Sequence, residues 1–347
     1  MTPRVPRRLG PEAIRRLAEE AADSRVFRSA VLERLRSVLG FNWYVWVLTD
    51  PRTTVGVDPF SEVPDLAELP RMIRLKYLTT VNRWTGPDAV GVLGDRVGDS
   101  PLWREVQRGH GVMDVASVVF RDPFGCWGFL DLWSTASFTA ADVALLRDLE
   151  PPLTSALRMG RAGTFHVVAP AEAPAAGPVV LLLDDELRVT GRTAASDEWL
   201  RVLLPRPDGA IPVPASAYNV AAQLLAREAG ADDHEAMARV HLADGFWVTA
   251  RASRLSPGDA IAVTIEPTSA DDRLDVFARA NGLSAREREL LVHLAQGTDT
   301  REAAALMFLS PHTVQDHLKS VFAKTGTRTR RVLLSHALGV RAGTAGA

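Results

Sequence analysis

The sequence predicts an α+β multidomain chain: two antiparallel-sheet domains flanked by helices, followed by an all-α end of four short helices. Three observations carry this. Runs of branched and aromatic residues separated by turn residues recur as far as Glu266. A stretch rich in Pro and Ala at 170–178 divides those runs into two groups. From Leu283 to Leu338 the apolar residues fall at helical spacing only.

In the first group, Ile14, Leu17, Ala21, Val26, Phe27, Val31, Leu32, Leu35 and Val38 place a helical region between Glu12 and Leu39. Residues 1–10 carry Arg4, Arg7 and Arg8 with no apolar run after them, which reads as a disordered arm and not a signal peptide. Strands are expected from Phe41 to Leu48, Thr53 to Val57, Val115 to Phe120 and Cys126 to Trp133. The last two meet across the hairpin turn Arg121-Asp122-Pro123-Phe124-Gly125. Helices are expected around Leu66 to Leu78, Leu102 to Gly109 and Ala140 to Leu157, so the first domain spans 11–160. Trp43, Trp84, Trp103 and Trp127 leave two readings open, a pocket for a flat or apolar ligand or simple core filling. Strand alternation sends Cys126 and Trp127 to opposite faces, and Cys126 reads as a small buried hydrophobe.

Residues 161–177 read as a linker and 178–268 as the second domain. Its strands are expected from Val179 to Leu183, Leu187 to Thr190, Ala238 to Leu242, Phe246 to Ser253 and Ala260 to Glu266. Helices are expected around Ala195 to Leu204 and Val220 to Arg227. Asp184-Asp185 raises the possibility of a phosphorylated receiver, but the strand–helix alternation of a doubly wound fold is missing, so the pair reads as a hairpin turn. A connecting helix within 269–282 carries Leu274, Val276 and Phe277 as its apolar face, the path by which any signal would travel.

The last segment, 283–340, is the most informative. Ser284 with Glu287 forms a capping box, and Leu290, Leu291 and Leu294 give the apolar stripe, with Arg286, Glu287, Arg288 and Glu289 toward water. Gly297 ends that helix, and Asp299 with Glu302 caps the next. After a turn at Phe308 and Leu309, Ser310-Pro311 starts a third helix with Val314, Leu318 and Val321 inward. Gln315 and Lys319 project together one turn apart, an amide suited to adenine and a cation suited to guanine or phosphate. Lys324, Arg328, Arg330 and Arg331 follow, and a fourth helix from Arg330 offers Val332, Leu333, Leu334 and Leu338 for packing or pairing. Residues 341–347 read as a disordered tail.

The run Leu-Ser-Ala-Arg-Glu-Arg-Glu at 283–289, Ala295-Gln296-Gly297, Glu302, Ser310-Pro311-His312-Thr313-Val314, His317 and Lys324 resembles the LuxR-type (GerE) helix-turn-helix. The resemblance implies that the third helix enters the major groove of double-stranded promoter DNA, that the fourth helix dimerises, and that sites are often imperfect inverted repeats. Carried over by position, Gln315, Asp316 and Lys319 would face bases, while Thr313 and Lys324 would hold the backbone, and Arg328 in the basic run that follows would lie near flanking phosphates. Ala303 and Thr325 depart from the larger apolar residues common there, which puts the core packing in question. Asp316 reads either as an acceptor for cytosine N4 or as an i,i+3 partner of Lys319.

Phe-Arg-Asp-Pro-Phe-Gly-Cys-Trp-Gly-Phe-Leu-Asp-Leu at 120–132 with Phe138-Thr139-Ala140-Ala141-Asp142 resembles a GAF sensor domain, which implies small-molecule binding or dimerisation. Asp-Asp-Glu-Leu-Arg-Val-Thr at 184–190 resembles the opening hairpin of a PAS domain, which implies ligand binding or scaffolding.

Net charge is −2, so DNA affinity must come from charge gathered at the C-terminal end. One cysteine in 347 residues fits a reducing cytoplasm, and no run of about 18 apolar residues suits a membrane. No phosphate loop, zinc-spaced Cys/His cluster or nucleophile elbow is present, so the expectation is a non-enzyme with no identifiable cofactor or metal. The sequence thus predicts a dimeric DNA-binding transcription regulator, with RNA polymerase a further partner and front domains that sense a ligand. The alternatives are a constitutive DNA-binding dimer whose front domains serve assembly, or an enzyme tethered to a DNA-binding domain.

Overall fold

The computed structural model describes residues 9–166, 179–194, 196, 213–242, 246–256 and 258–339. Residues 1–8 of the expected arm, residues 167–177 of the expected linker, most of the helix around Ala195 to Leu204 and the expected tail lie outside the described residues, while Leu9 of that arm is buried. The first domain opens with α1 (Pro11–Glu20) and α2 (Ser24–Leu39). The expected single helical region breaks between them because Asp23 turns extended and caps α2, accepting from the amides of Arg25 and Val26.

β1 (Trp43–Thr49), β2 (Gly56–Glu62), α3 (Leu69–Leu78), β3 (Val90–Val92), α4 (Pro101–Glu105), β4 (Asp114–Asp122), β5 (Gly125–Ser134) and α5 (Ala140–Gly163) follow. The sheet is antiparallel in the order β2-β1-β5-β4-β3. The strand expected from Thr53 to Val57 is displaced to Gly56–Glu62, because Asp50 ties residues 50–55 into a turn by accepting from the amides of Arg52 and Thr53. The short β3 was not foreseen. α3 and α4 cover the face bearing Val115 and Trp133, while α1, α2 and α5 cover the other.

The second domain comprises β6 (Val179–Leu183), β7 (Val189–Arg192), α6 (Ala215–Glu228), β8 (Met237–His241), β9 (Trp247–Arg254) and β10 (Ile261–Pro267). Its order, β7-β6-β10-β9-β8, repeats that of the first sheet strand for strand. Asp184 sits in the hairpin turn, its carboxylate accepting from the amides of Glu186 and Arg188, as the sequence reading held against a receiver.

The two sheet domains are joined over a polar and apolar seam. α6 packs on α3 and β2, close enough that a Cβ at Gly56 would lie 3.0 Å from the Asn219 side chain. Asp50 and Arg239, both fully buried, form a bidentate pair across the seam at 2.7 and 2.8 Å. Arg83 pairs with Asp232 at 2.8 Å, and Thr53 donates to the Met237 carbonyl at 2.6 Å.

Five helices complete the chain: α7 (Ala270–Ala280), α8 (Ala285–Ala295), α9 (Thr300–Leu306), α10 (Pro311–Thr325) and α11 (Arg330–Leu338). α7 is the expected connecting helix, with Leu274, Val276 and Phe277 buried. Among the described residues, no helix is long and apolar enough to cross a membrane.

Candidate nucleic-acid interface

α10 owes its position to its caps and to the helices beneath it. Ser310 accepts from the Thr313 amide at 3.1 Å, Pro311 occupies the first turn, and Gly326 closes the helix at φ +65°. Val314 and Val321 are buried and Leu318 is half-buried against α8 and α9. Packing that stripe inward leaves Gln315, Asp316 and Lys319 exposed together on the opposite face. Asp316 is shared between Lys319 at 3.1 Å and His312 at 3.2 Å, and the Lys319 ammonium holds its carboxyl below the usual range. Asp316 is thus the i,i+3 partner of Lys319 that one sequence reading expected, on a face that stays exposed.

Thr313 is half-buried and hydrogen-bonds Ser310 at 2.9 Å, while Arg328 is exposed beyond the end of the helix. Lys324 is different. Its ammonium lies 2.6 Å from Glu287, which is only 3% exposed and not directed to water as the helical spacing predicts. Glu287 also accepts from the Ser284 amide and the Ser320 hydroxyl, both at 2.6 Å. Burial alone would raise this carboxyl, and the hydrogen bonds from Lys324, Ser320 and Ser284 outweigh it, bringing it to about 2. One side chain thus caps α8 and pins α10 to it. The same interaction ties Lys324, whose side chain is still 37% exposed, to α8.

Arg330 is likewise internal, its guanidinium donating to the carbonyls of Leu294 and Thr298 at the end of α8. Thr325 replaces a larger apolar residue by folding its hydroxyl back onto the Val321 carbonyl and Thr327, and Ala303 is fully buried. Phe308, read only as a turn residue, stands 96% exposed at φ +55° between α9 and α10. A large aromatic in a two-residue turn was the available signal.

Of the residues expected to pair protomers, Leu333 is fully buried in this chain's own core, Leu334 and Leu338 are partly buried, and Val332 is 39% exposed. The reason is that α11 packs on α7, where Arg273 donates to the His336 carbonyl at 3.3 Å.

The four tryptophans of the expected ligand pocket are not brought together. Trp84 is buried, stacked on Phe129 at 4.7 Å, and donates to the Thr54 carbonyl. Trp103 donates to the Val112 carbonyl and, like Trp43, packs at the edge of the core beneath α3 and α4. Trp127 borders another cavity, between the two sheet domains. The cavity under α3 and α4 measures about 10 Å3, room for one water, and holds the Lys76–Asp131 pair at 2.7 Å. Cys126 is buried, and burial pushes its thiol up, which suits a small hydrophobe.

An exposed polar helix on a frame of three supporting helices, with caps at each start, defines a helix-turn-helix DNA-binding domain. Residues 281–337 match the family model for bacterial regulatory proteins of the luxR family (GerE), so this C-terminal unit is a LuxR-type helix-turn-helix. A probable HTH-type transcriptional regulator, GfsR of Streptomyces halstedii, is 37% identical over 71 residues, 20% of this chain; the chain spans only 29% of that relative. Among solved structures, SdiA of Escherichia coli is 12% identical over 95% of this chain and 96% of its own, with a TM-score of 0.35. A VqmA–ligand–DNA complex from Vibrio cholera is 21% identical over 47% of this chain and 82% of its own, with a TM-score of 0.19.

Proposed function

We propose that the protein is a cytoplasmic transcription regulator that places α10 in the major groove of promoter DNA. The observation that carries this is the open face of Gln315, Asp316 and Lys319 on a helix locked to its frame by Glu287 and Lys324. Gln315 reads adenine, Lys319 reads guanine or phosphate, and Asp316 selects for cytosine by accepting from N4. Thr313, Lys324 and Arg328 hold the phosphate backbone, Lys324 also bracing the helix through Glu287. The chain acts as a homodimer on imperfect inverted repeats, pairing through Val332, Leu334 and Leu338 of α11 once that helix is released from α7, and it works on RNA polymerase. In this reading residues 11–160 are a GAF-like domain and 178–268 a PAS-like one, which modulate the DNA-binding domain through α7. Genome-wide mapping of bound sites tests it: Gln315→Ala is expected to relax preference at one base pair, costing about 1–3 kcal/mol there. Equal loss at every sequence would refute the base-reading role.

A second reading draws on the filled face of the first sheet. With the space under α3 and α4 reduced to about 10 Å3, the front domains serve assembly and the DNA-binding domain is constitutive. Duplex affinity that is unaltered when residues 1–268 are deleted would favour it.

A further inference from the structure

The seam between the two sheet domains holds a cavity of about 90 Å3, room for several water molecules. Its wall draws on separate elements, among them Ser24 at the start of α2, Trp127 of β5, Arg161 at the end of α5 and His241 of β8. The polar groups on it share one chemistry. Ser24 Oγ, Trp127 Nε1 and His241 Nε2 are buried without a protein partner. The Arg161 guanidinium lies 5.6 Å over the Trp247 ring and, among the described residues, makes no ion pair. The carboxylate on this wall, Asp58, is engaged by Arg28 at 2.5 Å. Hydroxyl, indole and guanidinium can all donate hydrogen bonds here, and a neutral imidazole adds a fourth donor in its Nε2–H tautomer. Burial, followed by the nearby Arg161 and Arg273 charges, lowers His241 to about 4, so it is neutral near pH 7. Loss of water likewise lowers Arg161 below its ordinary value. Three buried polar atoms without a partner are costly, and a negatively charged acceptor beside the half-buried Arg161 would satisfy them.

We propose that this cavity binds a small oxyanion, a phosphoryl or carboxylate group, gripped by Arg161 with Ser24, Trp127 and His241 donating to its oxygens. His241 lies two residues beyond Arg239 on β8, so the bound anion tightens the strand that holds Asp50 and Asp275. That consequence for DNA binding rests on the regulator reading above; the binding itself does not.

Calorimetric titration of the full chain, in buffer free of oxyanions, tests the site with inorganic phosphate and, separately, acetate, against chloride at matched ionic strength. Saturable binding of one anion per chain is expected for at least one of the two. Phosphate alone would identify a phosphoryl ligand and acetate alone a carboxylate. Arg161→Met is expected to weaken it by at least about tenfold and Trp127→Phe, which keeps the ring but removes the donor, by several-fold. If Arg161→Met does not fold, Trp127→Phe and Ser24→Ala decide. Heats no larger than those of chloride, or variants that bind like the parent, overturn the proposal. Because no DNA enters this titration, its result stands apart from any failure of the chain to bind duplex.

Discussion

Glu287 shows how one residue sets the interface. It closes the capping box of α8, accepts from Ser320 and pairs with Lys324, three duties converging 5% exposed at the side chain. A carboxyl lowered from 4.5 to about 2 contributes on the order of 3 kcal/mol. Its unfolded counterpart takes up a proton near 4.5 and the folded one only near 2, so the contribution is full above about pH 5 and is lost as pH falls toward 2. Denaturation of the DNA-binding domain followed over that range is expected to show this loss in the parent and a much flatter profile in Glu287→Gln. Equal acid sensitivity in both would show that another group carries it. The capping box was legible because its two members are three residues apart. The Lys324 partnership was not, because it joins residues 37 apart through tertiary packing that periodicity cannot register.

At the scale of elements, α7 is where the domains meet. Asp275 on α7 accepts from Arg239 of β8 at 2.8 Å, from Arg288 of α8 at 2.9 Å and from Arg279 on its own helix. Arg239 in turn grips Asp50 at the end of β1. Burial alone would raise the Asp50 carboxyl; the Arg239 guanidinium outweighs it and holds the carboxyl far below its usual range. A line of charge therefore runs from the first sheet through the second to the DNA-binding domain. Arg239→Met would strand Asp50 in the interior, and is expected to cost about 3–5 kcal/mol in chemical denaturation. A loss under 1 kcal/mol would mean that the seam is held by apolar packing instead. Phe277, 1% exposed and edge-on to Phe165 at 5.3 Å, anchors the same helix. Phe277→Ala is expected to cost about 3–5 kcal/mol and to detach DNA affinity from the state of the front domains. Persistent coupling in a folded variant would place the path elsewhere. The sequence located α7 and its apolar face by spacing. It did not reveal Asp50, Arg239 or Asp275, since isolated charges carry no pattern until the chain brings them together.

For the whole molecule, the legible part was whatever is local: most of the strands, the capped helices and, in the second domain, two strands before and three strands after α6. The break at Asp23, the displacement of β2 and the matching order of the two sheets depend on turns and pairings set at long range. So does the burial of Leu333 in the chain's own core, which takes it off the exposed side of α11. With a net charge of −2, the chain as a whole gives DNA no general attraction, and affinity must arise from the few cations around α10. The most direct test is a fluorescence-anisotropy titration of the intact protein with duplex DNA carrying its mapped sites, from about 20 to 200 mM salt. Saturable binding at the lowest salt, with log affinity falling linearly as log salt rises, is the expected result. No binding to any duplex at the lowest salt would contradict the reading of α10 as a DNA-binding helix.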